Sequence, residues 1–192
     1  MRVKTLWKWL RRGLLTVIIL FILLAGAAYF YIQPSTAIGW PPQVEVSLAD
    51  RLEQMVHNRS LTIQISEEEI NGWGSQHMQE TEPYRSLKEK WNITGMKTRL
   101  ANREMEATIQ MEPISHVQAE VKIKYELEWS DSGQSIRAVP VDARVKNISL
   151  PLSWFSLKPM EFSLSSQLPE WVKVKEVKFL EDGWKLRFGL KL

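Results

Sequence analysis

The chain has 192 residues, enough for one ordinary domain and an appendage, and its lack of cysteine excludes thiolate metal sites and thiol catalysis. Its 25 basic and 22 acidic residues give a net charge of +3, but five of the basic residues lie within the first twelve positions. The rest of the chain is therefore at −2, and it shows no basic patch with interleaved aromatics, which argues against nucleic-acid binding.

The N-terminal segment predicts a membrane anchor. Residues 1–12 are basic, and Gly13–Ile32 are twenty residues without a charge. A helix of that length spans about 30 Å, the thickness of the hydrocarbon core of a bilayer. The positive-inside rule predicts a cytoplasmic N-terminus and an extracytoplasmic segment 33–192. A cleaved signal peptide is the alternative, because Ala25–Ala27 offers a small-residue cleavage site, but the apolar run continues to Ile32 and favours the anchor.

A linker and a first helix follow the anchor. Residues 33–43 contain three prolines and one glycine, which disfavour helix and stiffen the chain. The linker is short, so we expect the domain formed by residues 44–192 to lie close to the membrane. A first helix is predicted from Ser47 to Asn58, and the alternation in Leu61–Ile65 predicts a short strand.

A second helix is predicted to begin sharply at Ser66. Ser66 and Glu69 have the spacing of a capping box, in which each residue satisfies a backbone N–H of the other. We expect the helix to fray after Met78. Residues 79–90 are polar, contain Pro83 and lack a clear period, which predicts a loop or a loosely held segment.

From residue 91 onward the pattern predicts an antiparallel sheet. Strands are predicted at Gly95–Leu100, Glu104–Glu112, Val117–Trp129, Ile136–Ile148, Trp171–Phe179 and Trp184–Leu192. Val117–Trp129 alternates without a slip and would extend about 43 Å. A phase shift near Val139 and Pro140, after which Val139, Val141, Ala143 and Val145 continue the apolar side, predicts a β-bulge. The expected fold is α+β, with two short helices packed on a long, curved, meander-like antiparallel sheet.

The sequence offers little catalytic chemistry. His57, His77 and His116 are scattered without metal-ligand spacing, and no nucleophile elbow, P-loop or dinucleotide fingerprint occurs. The carboxylates of Glu67–Glu69 are accounted for by their place in a first helical turn. We therefore predict no catalytic residue, no metal site and no cofactor, and a function other than that of an enzyme.

Three short motifs carry a resemblance to a known family. They are "LTIQISEEEINGW", "VKNISLPLSWF" and "LPEWVKV", in this order behind the basic end, single span and Pro-rich linker. With them the chain resembles the YpmS-like family of small membrane-anchored proteins of Gram-positive bacteria. The matching residues are Ser66, Glu69, Ile70, Asn71, Leu150, Pro151, Leu168, Pro169, Trp171 and Val172. The resemblance implies an architecture and an envelope location more than an activity.

The apolar faces of the strands suggest a function. They offer more apolar surface than two short helices readily cover, so part of it is expected to line a groove for an acyl chain. The predicted lining is Val121, Ile123, Tyr125, Leu127, Trp129, Leu186 and Phe188. For each of these residues, packing in an ordinary core is the alternative. A second hypothesis is an envelope scaffold that docks on a protein partner through exposed tryptophans or a free sheet edge.

Overall fold

The computed structural model describes most of the chain. The described residues are 2–34, 36–42, 51, 62–82, 84–130, 132, 134–155, 157–164 and 168–190, with the backbone alone for 2–6. Apart from Arg51, the predicted helix Ser47–Asn58 lies outside the described residues.

The first element is the long helix α1, Arg2–Ile32. Its part from Trp7 to Ile32 is long and apolar enough to cross a membrane. The C-terminal end of α1 contacts the folded domain. There the Tyr29 hydroxyl donates to the carbonyl of His116 at 3.4 Å, and the Lys146 ammonium lies 5.0 Å from the centre of the Tyr31 ring.

The remaining elements form an α+β domain with two antiparallel sheets, which confirms the predicted fold class. The larger sheet contains β2 (Ile93–Ala101), β3 (Glu104–Ile114), β4 (Val117–Ser130), β5 (Ser135–Val145) and β6 (Ile148–Ser149) in that order, and β7 (Met160–Ser163) also pairs with β5. The smaller sheet contains β1 (Thr62–Ser66), β8 (Val172–Phe179) and β9 (Gly183–Leu190), in the order β1-β9-β8. Helices α2 (Glu67–Glu80) and α3 (Tyr84–Trp91) lie between β1 and β2 in the chain.

The long strand β4 is the centre of the larger sheet, and its pairing with β5 contains the predicted bulge. Lys124 pairs with Asp142 but Tyr125 pairs with Pro140, so Val141 is the extra residue. The expectation that Val139 and Val141 continue the apolar side is wrong. Val139 pairs with the exposed Glu126 and so lies on the solvent face of the sheet, and Val141 at the bulge is 45% exposed. Beyond the bulge Ala143 returns to the core.

Helix α2 begins with the predicted capping box. Ser66 Oγ accepts from the Glu69 backbone N–H at 3.3 Å, and Glu69 Oε2 accepts from the Ser66 N–H at 2.8 Å. The helix continues to Glu80, two residues beyond the expected fraying point. Ile70, Asn71 and Met78 are buried on the face that packs on β2.

The prediction of a loop over residues 79–90 is wrong, because Tyr84–Trp91 form helix α3. Tyr84 is buried, and Leu87 and Trp91 pack against the core from the same helical face. With only three apolar residues in eight, the helical periodicity is too weak to identify this helix from the sequence. Their burial against the sheet provides the stability that the isolated segment lacks.

We expect Ser66→Ala to lower the free energy of unfolding by about 1 kcal/mol, because the N–H of Glu69 then loses its partner at the helix start. Urea denaturation followed by tryptophan fluorescence measures the change. Ser153→Ala is the control, since Ser153 is exposed in the 3-10 helix Leu152–Trp154. An unchanged midpoint for Ser66→Ala would show that the cap contributes nothing to stability.

Candidate functional site

The predicted groove lining lies in the packed core of the domain. Six of its seven residues, Val121, Ile123, Tyr125, Leu127, Leu186 and Phe188, are no more than 2% exposed. They belong to one cluster to which both sheets contribute, and Trp129 is half-buried against that cluster. The sequence did not predict the smaller sheet as a separate layer. Its apolar residues belong to the same cluster, so they cover the face of β4 that the groove hypothesis left open for a ligand.

Of the seven residues, Trp129 borders a surface cavity. This cavity of about 580 Å³ lies at the end of β4, where Trp129, Arg137, Lys158 and Glu161 are among its walls. Its walls are largely polar or charged. Such a cavity is a poor match for an acyl chain, because pockets for apolar ligands carry few polar groups.

An apolar cleft does occur elsewhere, between the linker and the edge of the larger sheet. It has a volume of about 370 Å³. Its walls are Ile38, Gly39, Trp40, Pro41, Pro42, Glu68, Asn71, Met96 and Lys97. We call it the linker cleft. Apolar walls with few polar groups, and a volume of some hundreds of Å³, are typical of small-molecule sites.

The linker is held in place by hydrogen bonds to β2 and β3. The side-chain amide of Gln110 accepts from the Ile38 N–H at 2.7 Å and donates to the carbonyl of Thr36. The Met96 N–H donates to the carbonyl of Gly39 at 3.3 Å. A Cβ at Gly95 would collide with the Ile38 carbonyl, so a glycine is required for this close approach. The linker therefore forms a fixed wall of the cleft.

The aromatic wall of the linker cleft is Trp40. It is half-buried, and the Lys88 ammonium of α3 lies 5.4 Å from the centre of its ring, a cation–π distance. The charged residues of the cleft are Glu68 and Lys97, both exposed. The cleft thus combines an apolar surface, which includes Trp40 and Met96, with charged residues at its border. Such a combination is compatible with an amphiphilic ligand. Sequence reasoning missed this site, although a tryptophan within a proline-rich linker was an available signal.

Asn71, one of the residues in the predicted resemblance to the YpmS-like family, closes the edge of the larger sheet. Its side-chain amide accepts from the Thr98 N–H and donates to the Thr98 carbonyl at 2.8 Å and to the Glu67 carbonyl at 3.1 Å. Glu67 Oε2 accepts from the Leu100 N–H at 2.9 Å. Two side chains of α2 thus replace a neighbouring strand along β2. The role of this motif is structural, since it protects an edge that would otherwise invite pairing.

The smaller sheet has a comparable device. The Gln134 side chain accepts from the Val174 N–H at 2.6 Å and donates to the Val174 carbonyl at 3.1 Å. Strand β8 therefore has a side-chain amide on its edge, supplied by the hairpin between β4 and β5. This contact ties the two sheets together.

The other motif residues lie at chain reversals. The Leu150 N–H donates to the carbonyl of Ala143 at 2.7 Å, and Pro151 precedes the 3-10 helix. Leu168 packs against the core, and the carbonyl of Pro169 accepts from the Val172 N–H at 2.9 Å. None of these residues contributes to the linker cleft.

Among the described residues of the α+β domain, two tryptophans are more than half exposed. Trp154 is 59% exposed and Trp171 is 54% exposed. Tryptophans are enriched at the energetic centres of protein interfaces, because a large rigid ring buries much area. The exposed tryptophans of the scaffold hypothesis therefore exist, at the end of the 3-10 helix and immediately before β8.

A cavity lined by charged residues lies on the solvent-exposed face of the larger sheet. Its volume is about 470 Å³, and Lys122–Glu106 (3.2 Å), Lys124–Glu104 (2.8 Å) and Arg144–Asp142 (2.5 Å) form ion pairs there. Arg99 and Lys146 bring the lining to five basic and three acidic residues. These are the polar positions of the alternating strands, and exposed pairs of this kind contribute about 0–1 kcal/mol each.

An aromatic chain joins the helices to both sheets. The ring of His77 lies 5.3 Å from that of Tyr84 and 5.9 Å from that of Phe162, which in turn lies 5.8 Å from Trp184. Burial lowers the pKa of His77, so the neutral ring is favoured. Burial raises the pKa of Tyr84 to about 12 and also raises the pKa of Tyr125.

The two buried tyrosines are expected to respond oppositely to phenylalanine. Tyr84 donates to the carbonyl of Lys158 at 2.8 Å, so Tyr84→Phe should lower the free energy of unfolding by about 1 kcal/mol. The Tyr125 hydroxyl has no hydrogen-bond partner within the described part of the chain, so Tyr125→Phe should leave stability unchanged or raise it. Urea denaturation at pH 7 compares the two variants, and equal destabilisation by both would contradict the assignment.

The same residues predict an alkaline pH dependence. Since their folded-state pKa values are raised, the contribution of these two tyrosines to stability is complete below the ordinary tyrosine pKa of about 10 and falls as the pH rises towards 12. The variant Tyr84→Phe should lose less stability over the same rise in pH. Thermal melts between pH 9 and 11.5 measure it, and an equally steep fall in Tyr84→Phe would assign the dependence to other groups.

Among the residues that the structure describes, no three histidine, aspartate or glutamate side chains are arranged to hold a metal ion. No protein-family model matches the chain, and comparisons with curated proteins and with solved structures find no significant similarity. The resemblance to the YpmS-like family therefore stays a prediction from the motifs.

Proposed function

We propose that the chain is a single-pass membrane protein whose extracytoplasmic domain binds lipid or another amphiphile without catalysing a reaction. The linker cleft is the observation that carries this proposal, because its apolar walls and adjacent charges match the two parts of an amphiphile. The site differs from the one expected from the alternating strands, whose side chains fill the core.

The position of the cleft supports a membrane-derived ligand. Its walls begin at Ile38, six residues beyond the end of α1 at Ile32. Met96 pairs with Ile109, which lies five residues, or about 17 Å, along β3 from Ile114. Ile114 ends β3 next to the turn whose His116 carbonyl accepts the hydrogen bond from Tyr29 of α1. An amphiphile leaving the bilayer beside the anchor would thus have a short path to the cleft.

The anchor and its orientation have their own test. The full chain should remain in the membrane after alkaline carbonate washing, and external protease should digest the segment 33–192 in intact spheroplasts. A soluble product beginning near Ala28 would instead establish cleavage of α1. Protection of the domain from external protease would overturn the proposed orientation.

The ligand proposal is tested on the full chain extracted from membranes in a mild detergent. Native mass spectrometry detects co-purified lipid, and a spin-labelled fatty acid serves as a defined probe. Trp40→Ala should weaken probe binding about tenfold, since it removes the aromatic wall. Trp154→Ala is the control, because it deletes an exposed tryptophan that is not part of the cleft lining. No bound amphiphile in the parent chain, or equal loss in both variants, would overturn the proposal.

The second candidate function is a scaffold in the cell envelope, favoured by the exposure of Trp154 and Trp171. It predicts the opposite result for the same variants. Trp154→Ala and Trp171→Ala should then lose a co-purified protein partner that Trp40→Ala retains. Crosslinking in cells followed by purification of the full chain distinguishes the two functions.

A further inference from the structure

Two tight hairpin turns meet the end of α1. Residues 115–116 connect β3 to β4, with Ile114 paired to Val117, and residues 146–147 connect β5 to β6, with Val145 paired to Ile148. The first turn accepts the hydrogen bond from Tyr29, and the second places Lys146 beside Tyr31. Both turns therefore lie at the level of the last helical turn of α1.

The aromatic residues of α1 fix that level relative to a bilayer. Trp7 and Trp9 near one end are separated from Tyr29 and Tyr31 near the other by 20 to 24 residues, or about 30–36 Å of helix. This separation matches the hydrocarbon core with an aromatic belt at each interface. When α1 spans the membrane, the two hairpin turns consequently reach the interfacial layer on the side of the domain.

Each turn presents an isoleucine to its surroundings at that level. Ile114 is 68% exposed and Ile148 is 53% exposed, and each directly flanks a two-residue turn. His116 and Lys146 in these turns have positive φ angles of 65° and 51°. The pairing of Ile114 with Val117 and of Ile148 with Val145 holds both isoleucines at the ends of paired strands. Lys146 precedes Ile148 by two residues in the chain, and cationic residues next to apolar ones are typical of segments that rest on a lipid surface.

We propose that Ile114 and Ile148 insert into the interfacial layer of the membrane that holds α1 and dock the domain on its surface. This inference rests on the proposed membrane anchoring and is independent of whether the linker cleft binds an amphiphile. Docking orients the domain with the long axis of β3, β4 and β5 rising from the membrane. It also keeps the linker cleft at a constant height above the bilayer.

The chain has no cysteine, which permits a direct test with single spin labels. The variants Ile114→Cys and Ile148→Cys are labelled in the full chain and reconstituted in phosphatidylcholine–phosphatidylglycerol vesicles. Electron paramagnetic resonance then compares collisions with oxygen, which concentrates in lipid, and with a water-soluble nickel complex. Val141→Cys is the matched control, since Val141 is an exposed β-branched residue of β5 that lies away from both turns. Phe21→Cys reports the middle of α1.

Docking predicts that the labels at 114 and 148 have an oxygen-to-nickel accessibility ratio at least about threefold above that at 141, and that the label at 21 is the deepest. Water-exposed labels at 114 and 148 together with a lipid-exposed label at 21 would overturn docking and leave the anchor intact. A water-exposed label at 21 would overturn the anchor and docking together. Equal lipid exposure at 141 would overturn the assignment to these two turns.

Discussion

Replacing Ile123 by alanine is expected to lower the free energy of unfolding by about 2–5 kcal/mol. Ile123 is 1% exposed at the centre of β4, and its pairing partners on both neighbouring strands are alanines, Ala107 and Ala143. These small residues leave the space that Ile123 fills, and they have no side-chain atoms that can move into a cavity. The loss therefore combines the lost burial with an uncompensated void.

Urea denaturation followed by the fluorescence of the nine tryptophans measures this effect. Val141→Ala on the neighbouring strand is the control, because an exposed side chain at a bulge should change stability by less than about 0.5 kcal/mol. Ile123→Trp should also be destabilising, since the packed core has no room for the larger ring. A small change in both Ile123 variants, accompanied by loss of bound lipid, would restore the groove hypothesis for β4.

Replacing Asn71 by alanine should lower the free energy of unfolding by about 2–4 kcal/mol, because the buried N–H and carbonyl of Thr98 both lose their partners. The variant should also aggregate more readily, since the edge of β2 becomes available for pairing. Urea denaturation and light scattering measure the two effects. Asn147→Ala at an exposed turn is the control. Unchanged stability of Asn71→Ala would mean that water replaces the amide at no cost.

A charge at the same position should make stability depend on pH. In Asn71→Asp the carboxylate still accepts from Thr98 but cannot donate to the carbonyls of Thr98 and Glu67, and burial disfavours its charged form. Its folded-state pKa is then raised, so the variant should be most stable below the ordinary aspartate pKa of about 4 and lose stability as the pH rises above it. The parent chain provides the reference. A variant that gains stability with pH would contradict this account of the edge.

The sequence predicted the elements that carry a strong local signal. Thirteen alternating residues identified β4 without reference to any neighbour, and Ser66 and Glu69 located the start of α2 because a capping box is formed within four residues. The structure also confirms the predicted bulge in β5. The bulge was predictable because the apolar pattern changes phase near Pro140 in the sequence itself. Helix α3 was missed, since three apolar residues in eight are too few to show a period.

The linker cleft illustrates what local patterns leave out. The linker contains prolines that predict an irregular chain, but nothing in it indicates that Gln110, more than 70 residues away, binds its backbone. Gly95 and Met96 likewise look like ordinary strand residues until the linker is placed against them. A site built from such distant segments was therefore not predictable from spacing.

By itself, the sequence determined the apolar N-terminal helix, the α+β class, most strands and the helix cap, because each depends on interactions within a few residues. The tertiary structure alone decided that β1 pairs with β9, at the other end of the domain, and that the smaller sheet so formed contributes to the same core as β4. This pairing helps to place six of the seven predicted groove residues in the core. The physical reason is that an alternating strand specifies which face avoids water, whereas the long-range pairing of other strands determines what covers it.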